Sequence, residues 1–396
     1  MELDPQQRRT LLWAGLAVVL TAFDGSVLVL ALPAIAADFH AKTPALSNLG
    51  SVLALGALGA LPLATLADRF GRRRLIAVGV AGFSMANFLS GLATSLEELA
   101  LLRLVAVCFE VLVGGVATAL IVEEAPPSQR GRAVSVLAVL AGLGTGITVI
   151  AYPLLAPHWR WLFLVGGFGV LAAPLIWIRL PEGRAWLGAT GAAGVRVSGS
   201  ALLLLLQPPW RRRVLVIALM SALLAILLEP AGLLFTVYAS EVLLLSPVAI
   251  SALIFVSGVA GGVSYLAGGY LSDRFGRREP AIVLAVATAV AASLSFATAR
   301  VGFYVGNVLW SVFASASSPV FGAWTAELFP TRARATAEAT TAVAAAVGSI
   351  VGLQAVGLVA PAIGLGHAIE LGGVAAIAGA ALLLLLPETK QTPLPD

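Results

Sequence analysis

Long runs of apolar residues alternate with short polar loops along almost the whole chain. Each run is about 20 residues long, the length that a helix needs to cross the roughly 30 Å hydrocarbon core of a bilayer. Twelve such runs can be placed, six in each half of the chain. They cover residues 11–36, 46–66, 75–94, 98–122, 133–155, 161–178, 214–238, 249–271, 280–298, 301–326, 335–359 and 367–386. The pattern predicts an all-α integral membrane protein with twelve transmembrane helices.

The composition supports a membrane protein over a soluble one. The chain of 396 residues is 59% hydrophobic and 11% charged, whereas about a quarter of the residues in ordinary soluble domains are charged. The first apolar run is long enough to span and contains Asp24, so we expect a retained membrane helix rather than a cleaved signal. A single cysteine, Cys108, excludes an internal disulfide and a thiolate metal cluster.

The basic residues lie mainly in alternate loops. If both termini are cytoplasmic, 20 of the 24 Lys and Arg residues fall on the inner side. This bias follows the positive-inside rule, which relates Lys and Arg in short loops to the cytoplasmic face. It predicts a plasma (inner) membrane protein with both termini inside. It also accounts for the pI of about 9.6, so we expect no nucleic-acid partner.

One polar loop occurs twice. Asp68-Arg69-Phe70-Gly71-Arg72-Arg73 follows the second run, and Asp273-Arg274-Phe275-Gly276-Arg277-Arg278 follows the eighth, 205 residues later. Recurrence at half the chain length indicates a duplicated unit. We therefore predict two pseudo-symmetric six-helix bundles, residues 1–180 and 214–396, joined by a cytoplasmic linker, residues 181–213.

The inner loops contain paired acids and arginines in the same order in both halves. Glu124 precedes Arg130 and Arg132 in one half, and Glu327 precedes Arg332 and Arg334 in the other. Glycine in the repeated loop allows a tight turn between helices. An aspartate there can accept hydrogen bonds from a helix N-terminus or from arginine. We expect these contacts to break and re-form as the cytoplasmic side opens.

Taken together, these loops resemble those of the major facilitator superfamily, in particular its metabolite/proton symporters and sugar porters. The resemblance includes Pro181-Glu182-Gly183-Arg184 and Pro387-Glu388-Thr389. It implies two six-helix bundles that expose a central site alternately to the two sides. It also implies a cytoplasmic gate, for which the candidate residues are Asp68, Arg69, Gly71, Arg72, Glu124, Arg130, Arg132, Glu182, Arg184, Asp273, Arg274, Gly276, Arg277, Glu327, Arg332, Arg334 and Glu388.

Two charged residues lie well inside the first bundle. Asp24 is about 20 Å along its helix from the inner side, and Arg103 is about 8 Å along its helix from the outer side. The two depths nearly sum to the thickness of the membrane core, so these side chains can pair. Ionisable groups inside a membrane are functional candidates by default. In the families that the chain resembles, an acid and an arginine at these positions form a proton-coupling pair.

The repeat adds Glu229 as a second candidate, because it lies 205 residues after Asp24. Pro230 follows it and is expected to interrupt the seventh helix. Glu229 is therefore predicted as a coupling or substrate residue, with Arg300 or Asn307 as its neighbour. The predicted lining of the substrate cavity consists of Thr21, Asn87, Glu110, Tyr238, Asn307 and Trp324.

Two directions of transport stay open. The predicted function is proton-coupled symport of a small organic solute, and the alternative is proton-driven export. Span 7 has no glutamine, and Gly322 stands where sugar porters carry a tryptophan, which argues against a sugar. Asp24-Gly25-Ser26 resembles multidrug exporters, but Gly144-Thr145-Gly146 replaces their Gly-Pro signature.

Other classes of function find little support in the sequence. No Gly-x-x-x-x-Gly-Lys motif for a nucleotide occurs, and no nucleophile, base and orienting group share one motif. We therefore expect no cofactor, no metal and no enzyme activity. The expected surroundings are the lipid bilayer, a small organic solute and protons, and the chain is expected to be monomeric.

Overall fold

The computed structural model describes residues 4–64, 70–125, 130–183, 203–297 and 299–390. Within these ranges the chain forms helices joined by short turns, without β-strands. The helices of the first half are α1 Pro5–Asp38, α2 Thr43–Ala64, α3 Arg72–Ser90, α4 Leu96–Glu124, α5 Arg130–Leu155, α6 Trp159–Gly167 and α7 Ala172–Arg179. Those of the second half are α8 Trp210–Leu233, α9 Phe235–Val237, α10 Pro247–Phe275, α11 Arg278–Ala297, α12 Arg300–Leu328, α13 Thr331–Ile363, α14 Leu365–Glu370 and α15 Gly372–Leu382.

The helices coincide with the predicted apolar runs. Eight helical stretches of the described chain are long and apolar enough to cross a membrane. One of them, Val136–Arg179, contains two predicted runs. Helices α2, α3 and α12 cover three further runs. The sixth run is interrupted by a 3-10 turn at Phe168–Leu171, and the twelfth by a single turn residue, Leu371, between two α-helices.

Helix starts follow local sequence signals. Asp4 accepts a hydrogen bond from the Gln7 amide at 2.7 Å, while the Gln7 side chain accepts one from the Asp4 amide at 3.1 Å. This capping box satisfies free N–H groups at the start of α1. Ser95 and Ser246 cap α4 and α10 with a single bond each, because their hydroxyl oxygens accept from the amides of Glu98 and Ala249. These caps fix the points at which the chain enters its long helices.

The chain divides into two compact units. One consists of residues 1–40 and 55–196, and the other of residues 41–54 and 197–396. The first has an apolar core in which Phe83, Val113 and Leu120 are buried. The second has a core around Trp324, Phe329 and Leu383. Residues 41–54, the first half of α2, belong with the second unit although they precede most of the first along the chain.

Pro230 lies inside the helix of the seventh run and does not interrupt it at its own position, contrary to the sequence prediction. Proline lacks an N–H group and removes one hydrogen bond from the helix. Helix α8 ends at Leu233, three residues later, and the chain continues as α9 and a π-helical turn over Tyr238–Val242. Glu229 therefore lies in the last two turns of α8.

Candidate functional site

Asp24 and Arg103 lie side by side in the first unit, within the long helices α1 and α4. Both side chains are only 1% exposed. One terminal nitrogen of Arg103, Nη1, donates to the two carboxylate oxygens of Asp24 at 3.3 and 3.4 Å. The contact predicted from the similar depths of the two residues is present. Its role in proton coupling stays a prediction.

Arg103 has two further partners. Its Nη2 donates to Oε1 of Glu110 at 2.8 Å, and its Nη1 also donates to Oδ1 of Asn87 at 3.0 Å. Arg103 and Glu110 are seven residues apart on α4, which places them on one face, two turns from each other. The sequence predicts Glu110 and Asn87 as cavity residues, and the structure joins them to the ionic pair. We call Asp24, Asn87, Arg103 and Glu110 the Arg103 cluster.

The Arg103 cluster contains two carboxylates and one guanidinium, and all of them are buried. With every group ionised its net charge is −1, and an unbalanced charge is costly in such a site. One proton on either carboxylate makes the cluster neutral. The cluster can therefore hold one proton without carrying a net charge. In the described chain, no group of three or more His, Cys, Asp or Glu side chains could hold a metal ion.

Helix α6 closes the cluster from another side. The guanidinium carbon of Arg103 lies 5.7 Å from the centre of the Phe163 ring, within range of a cation–π interaction. Gly166 faces the side chain of Asn87, and a Cβ atom at position 166 would lie 2.0 Å from Asn87 Nδ2. Glycine at this position leaves the space that the amide needs in order to reach Arg103.

Glu229 is placed differently from Asp24. Its side chain is exposed, and the described residues provide it with no hydrogen-bonding or ionic partner. Neither predicted neighbour pairs with it: Arg300 donates through Nε to the Leu243 carbonyl at 2.9 Å, and Asn307 accepts from the Ser257 hydroxyl at 2.8 Å. The predicted contact is wrong, because Arg300 lies at the start of α12 and the Asn307 side chain is bonded to Ser257, which joins α12 to α10.

The other predicted cavity residues mostly make internal contacts. Thr21 is half-buried and donates to the Ala17 carbonyl of its own helix. The buried Tyr238 donates to the Phe296 carbonyl at 3.1 Å and packs in an aromatic group with the Phe296 and Phe303 rings. Trp324, 1% exposed, donates from its indole nitrogen to the Pro387 carbonyl at 3.2 Å. Because Tyr238, Asn307 and Trp324 are enclosed by protein, we do not include them in the substrate site proposed below.

The repeated loop of the second half forms an ionic network at the start of α11. Gly276 has a φ of 97°, a backbone conformation that favours glycine. Glu388 accepts hydrogen bonds from the amides of Arg277 and Arg278, at 2.9 Å each. The Arg277 side chain donates to Glu327 at 3.0 Å and to Asp273 at 3.0 Å. The acid after the last helix therefore caps a helix that begins 110 residues earlier.

The first half repeats this cap. Gly71 has a φ of 87°, and Glu182 accepts hydrogen bonds from the amides of Arg72 and Arg73 at 2.7 and 3.1 Å. Glu182 and Glu388 therefore perform the same task in the two halves, at the N-termini of α3 and α11. A carboxylate at a helix N-terminus is favoured by the partial positive charge of the free N–H groups.

The remaining gate candidates differ in what the structure shows. Arg274 donates to the Tyr270 hydroxyl at 2.8 Å, and Arg334 donates to the Ala326 carbonyl at 2.5 Å. The backbone carbonyl of Glu124, whose side chain is buried, accepts from Gln7. Asp68, Arg69 and Arg184 lie outside the described residues, as do the side chains of Arg130, Arg132 and Arg332.

Comparison with known proteins identifies the family. Residues 14–243 and 230–396 match the sequence profile of the Major Facilitator Superfamily. The chain belongs to the major facilitator superfamily. This membership makes it a membrane transport protein rather than an enzyme, and it confirms the predicted all-α fold with twelve transmembrane helices.

Individual members of this superfamily show how far the similarity extends. Over 189 residues the chain is 34% identical to the puromycin resistance protein of Streptomyces alboniger, a match that covers 46% of this chain and 37% of that protein. It is 27% identical over 413 residues to the "probable 4-methylmuconolactone transporter" of Cupriavidus pinatubonensis, covering 98% and 92% of the two chains. The fold is similar to that of a bacterial homologue of the human lysosomal transporter Spinster, with a TM-score of 0.76, 19% identity and coverage of 96% and 97%.

Proposed function

We propose that this protein is a proton-coupled secondary transporter that moves a small organic solute across the plasma membrane by alternating access. The observation that carries the proposal is the Arg103 cluster, two carboxylates sharing one buried guanidinium in the membrane-spanning part of the chain. When all of its groups are ionised the cluster has a net charge of −1, and binding one proton would neutralise this charge. We further propose a monomer with cytoplasmic termini, in which residues 1–180 and 214–396 are the two moving bundles and residues 181–213 link them.

Within the cluster, Asp24 is the better candidate for the proton carrier. Arg103 donates to Glu110 at 2.8 Å but reaches the oxygens of Asp24 only at 3.3 and 3.4 Å. Shorter charge-assisted hydrogen bonds are stronger. When Asp24 takes a proton, Arg103 keeps Glu110 as its counter-ion, so no isolated positive charge is left in the membrane. Proton uptake and release at Asp24 would then accompany the change of access.

Proton symport is the proposed mode of coupling, and similarity to the 4-methylmuconolactone transporter over almost the whole chain supports it. Export is the second candidate, supported by similarity to the puromycin resistance protein over less than half of the chain. Proteoliposomes with an imposed pH gradient separate the two. Symport predicts solute accumulation on the alkaline side, whereas proton-driven exchange predicts accumulation on the acidic side.

The proposal is tested with Asp24→Asn, using labelled 4-methylmuconolactone and puromycin as probes. The variant is neutral at every pH, so we expect accumulation driven by a pH gradient to fall to simple equilibration. Exchange of labelled for unlabelled solute, which needs no net proton movement, should persist. Glu97→Gln is the matched control, because Glu97 is an exposed acid at the outer start of α4. Undiminished gradient-driven accumulation by Asp24→Asn would refute proton coupling at this residue.

A further inference from the structure

The charges deep in the membrane helices do not balance. More than about four residues from the end of any predicted span, the only charged side chains are Asp24, Arg103, Glu110 and Glu229. Three acids thus face one base. Arg103 is already bonded to both Asp24 and Glu110. No basic side chain remains in the membrane interior to neutralise Glu229.

The two halves treat the repeated acid differently. Asp24 is buried beside Arg103, whereas Glu229 is exposed and has no ionic partner among the described residues. The offset of the repeat places Gly306 to Val308 opposite Arg103, and none of these residues is basic. Helix α12 carries no charge between Arg300 at its start and Glu327 near its end. The second half therefore contains Glu229 in place of Asp24 but no basic residue in place of Arg103.

The surroundings of Glu229 favour positive charge. It lies four residues before the end of α8 at Leu233, within the apolar seventh run. The exposed carboxylate would be costly against lipid, and such groups face water-filled paths or partners instead. A cation that arrives and leaves would satisfy it without a permanent salt bridge.

From this we infer that Glu229 is the binding site for a positively charged group of the transported solute, so the substrates include organic cations such as protonated amines. The inference rests on the proposed transport function and deepens it. The Arg103 cluster would take the proton, and Glu229 would take the solute. The three acids exceed the one base by two negative charges, and these two charges are thereby assigned to the proton and to the cationic solute.

The test is binding to the purified full-length protein in lipid nanodiscs. The probes are tetraphenylphosphonium, ethidium and 1-methylnicotinamide, with uncharged nicotinamide as the counterpart of the last. We expect the wild type to bind at least one of the three cations and to prefer 1-methylnicotinamide to nicotinamide if it binds either. Glu229→Gln should weaken cation binding about tenfold or more, equivalent to the loss of one modest ionic contact. Glu229→Asp should retain most of it.

Glu241→Gln is the matched control, since it removes an exposed acid beyond the end of the same helix. It should change affinity less than about twofold, as expected for a charge outside the site. Thermal unfolding of each variant without ligand shows whether the fold is intact. Asp24→Asn should still bind the cations, so failure of proton coupling and failure of this inference give different results.

Several outcomes would overturn the inference. One is that the wild type binds none of the cations, and another is equal affinity in Glu229→Gln. If NaCl alone protects the wild type against thermal unfolding and does not protect Glu229→Gln, Glu229 is an inorganic cation site instead. Unchanged cation binding with lost proton uptake in Glu229→Gln would make this residue a proton site.

Discussion

Arg103 determines the electrostatics of the first unit. Its three partners come from α1, α3 and α4, and the ring of Phe163 on α6 lies against its guanidinium. Removing it would leave two buried carboxylates without a counter-ion, a change that typically costs several kcal/mol. The residue is therefore required for the fold as well as for the proposed coupling, and its own substitution is a poor test of mechanism. Residues that only position its partners are more informative.

Gly166→Ala is the residue-scale test. The added methyl group would lie 2.0 Å from Asn87 Nδ2, so the amide must move away from Arg103. We expect a loss of stability of about 1 to 3 kcal/mol, typical of overpacking, together with weaker coupling to a pH gradient. Thermal unfolding and gradient-driven uptake measure the two effects.

Gly146→Ala provides the control for Gly166→Ala. A Cβ atom at position 146 meets nothing within 4 Å, and alanine favours a helix over glycine by roughly 1 kcal/mol. This variant should be as stable as the wild type or more so. If Gly166→Ala behaves like Gly146→Ala in both measurements, Asn87 does not depend on the space at Gly166.

At the scale of elements, the caps formed by Glu182 on α3 and by Glu388 on α11 are built in the same way. A glycine with positive φ ends the preceding turn, two successive amides point outward, and an acid from a distant segment accepts both. In the second half, burial raises the pKa of Glu388, but hydrogen bonds from the Arg277, Arg278, Lys390 and Thr389 amides outweigh it, and the pKa is lowered. The ionised form is therefore the one that stabilises the fold.

The lowered pKa predicts how stability depends on pH. The contribution of Glu388 is fully present above the ordinary pKa of 4.5, and it is lost as the pH falls through the lowered value. Glu388→Gln should reduce stability at pH 6 by about 0.5 to 1 kcal/mol, the usual effect of an acid at a helix N-terminus. The difference from the wild type should shrink below pH 4.5.

Thermal unfolding between pH 3 and 7 checks this prediction. Glu279→Gln serves as the comparison, because Glu279 is an exposed acid in the first turn of the same helix and accepts neither amide bond. A gap between wild type and Glu388→Gln that is constant across this range would show that ionisation of the cap does not contribute.

At the scale of the whole molecule, the first half of α2 has an unexpected place. By sequence it belongs to the first repeat, yet residues 41–54 group with the second unit. Gln354 on α13 donates to Asn48 and to Ser51, at 2.9 Å each. If the two repeats move apart during transport, these contacts must break. Immobilising this segment should therefore stop the cycle.

A pair of cysteines at positions 47 and 357 tests this requirement. A Cβ atom at Gly357 would lie 3.0 Å from Cβ of Ser47, near enough for a disulfide after a small adjustment. With Cys108 changed to Ser, we expect Ser47→Cys/Gly357→Cys to lose transport on oxidation and to regain it on reduction. Each single variant should be insensitive to oxidant. Full transport by the cross-linked protein would mean that this contact persists throughout the cycle.

The sequence by itself determined the membrane class, the twelve helices, the internal repeat and the pairing of Asp24 with Arg103. These follow from hydrophobic length, loop charge and depth along a helix, which are one-dimensional quantities. Only the tertiary structure decided that Glu110 and Asn87 join Arg103, that Glu182 and Glu388 cap distant helices, and that Glu229 has no partner among the residues that the structure describes. These contacts depend on how helices rotate and pack against one another, and side-chain direction around a helix axis is set by neighbours far away in the chain.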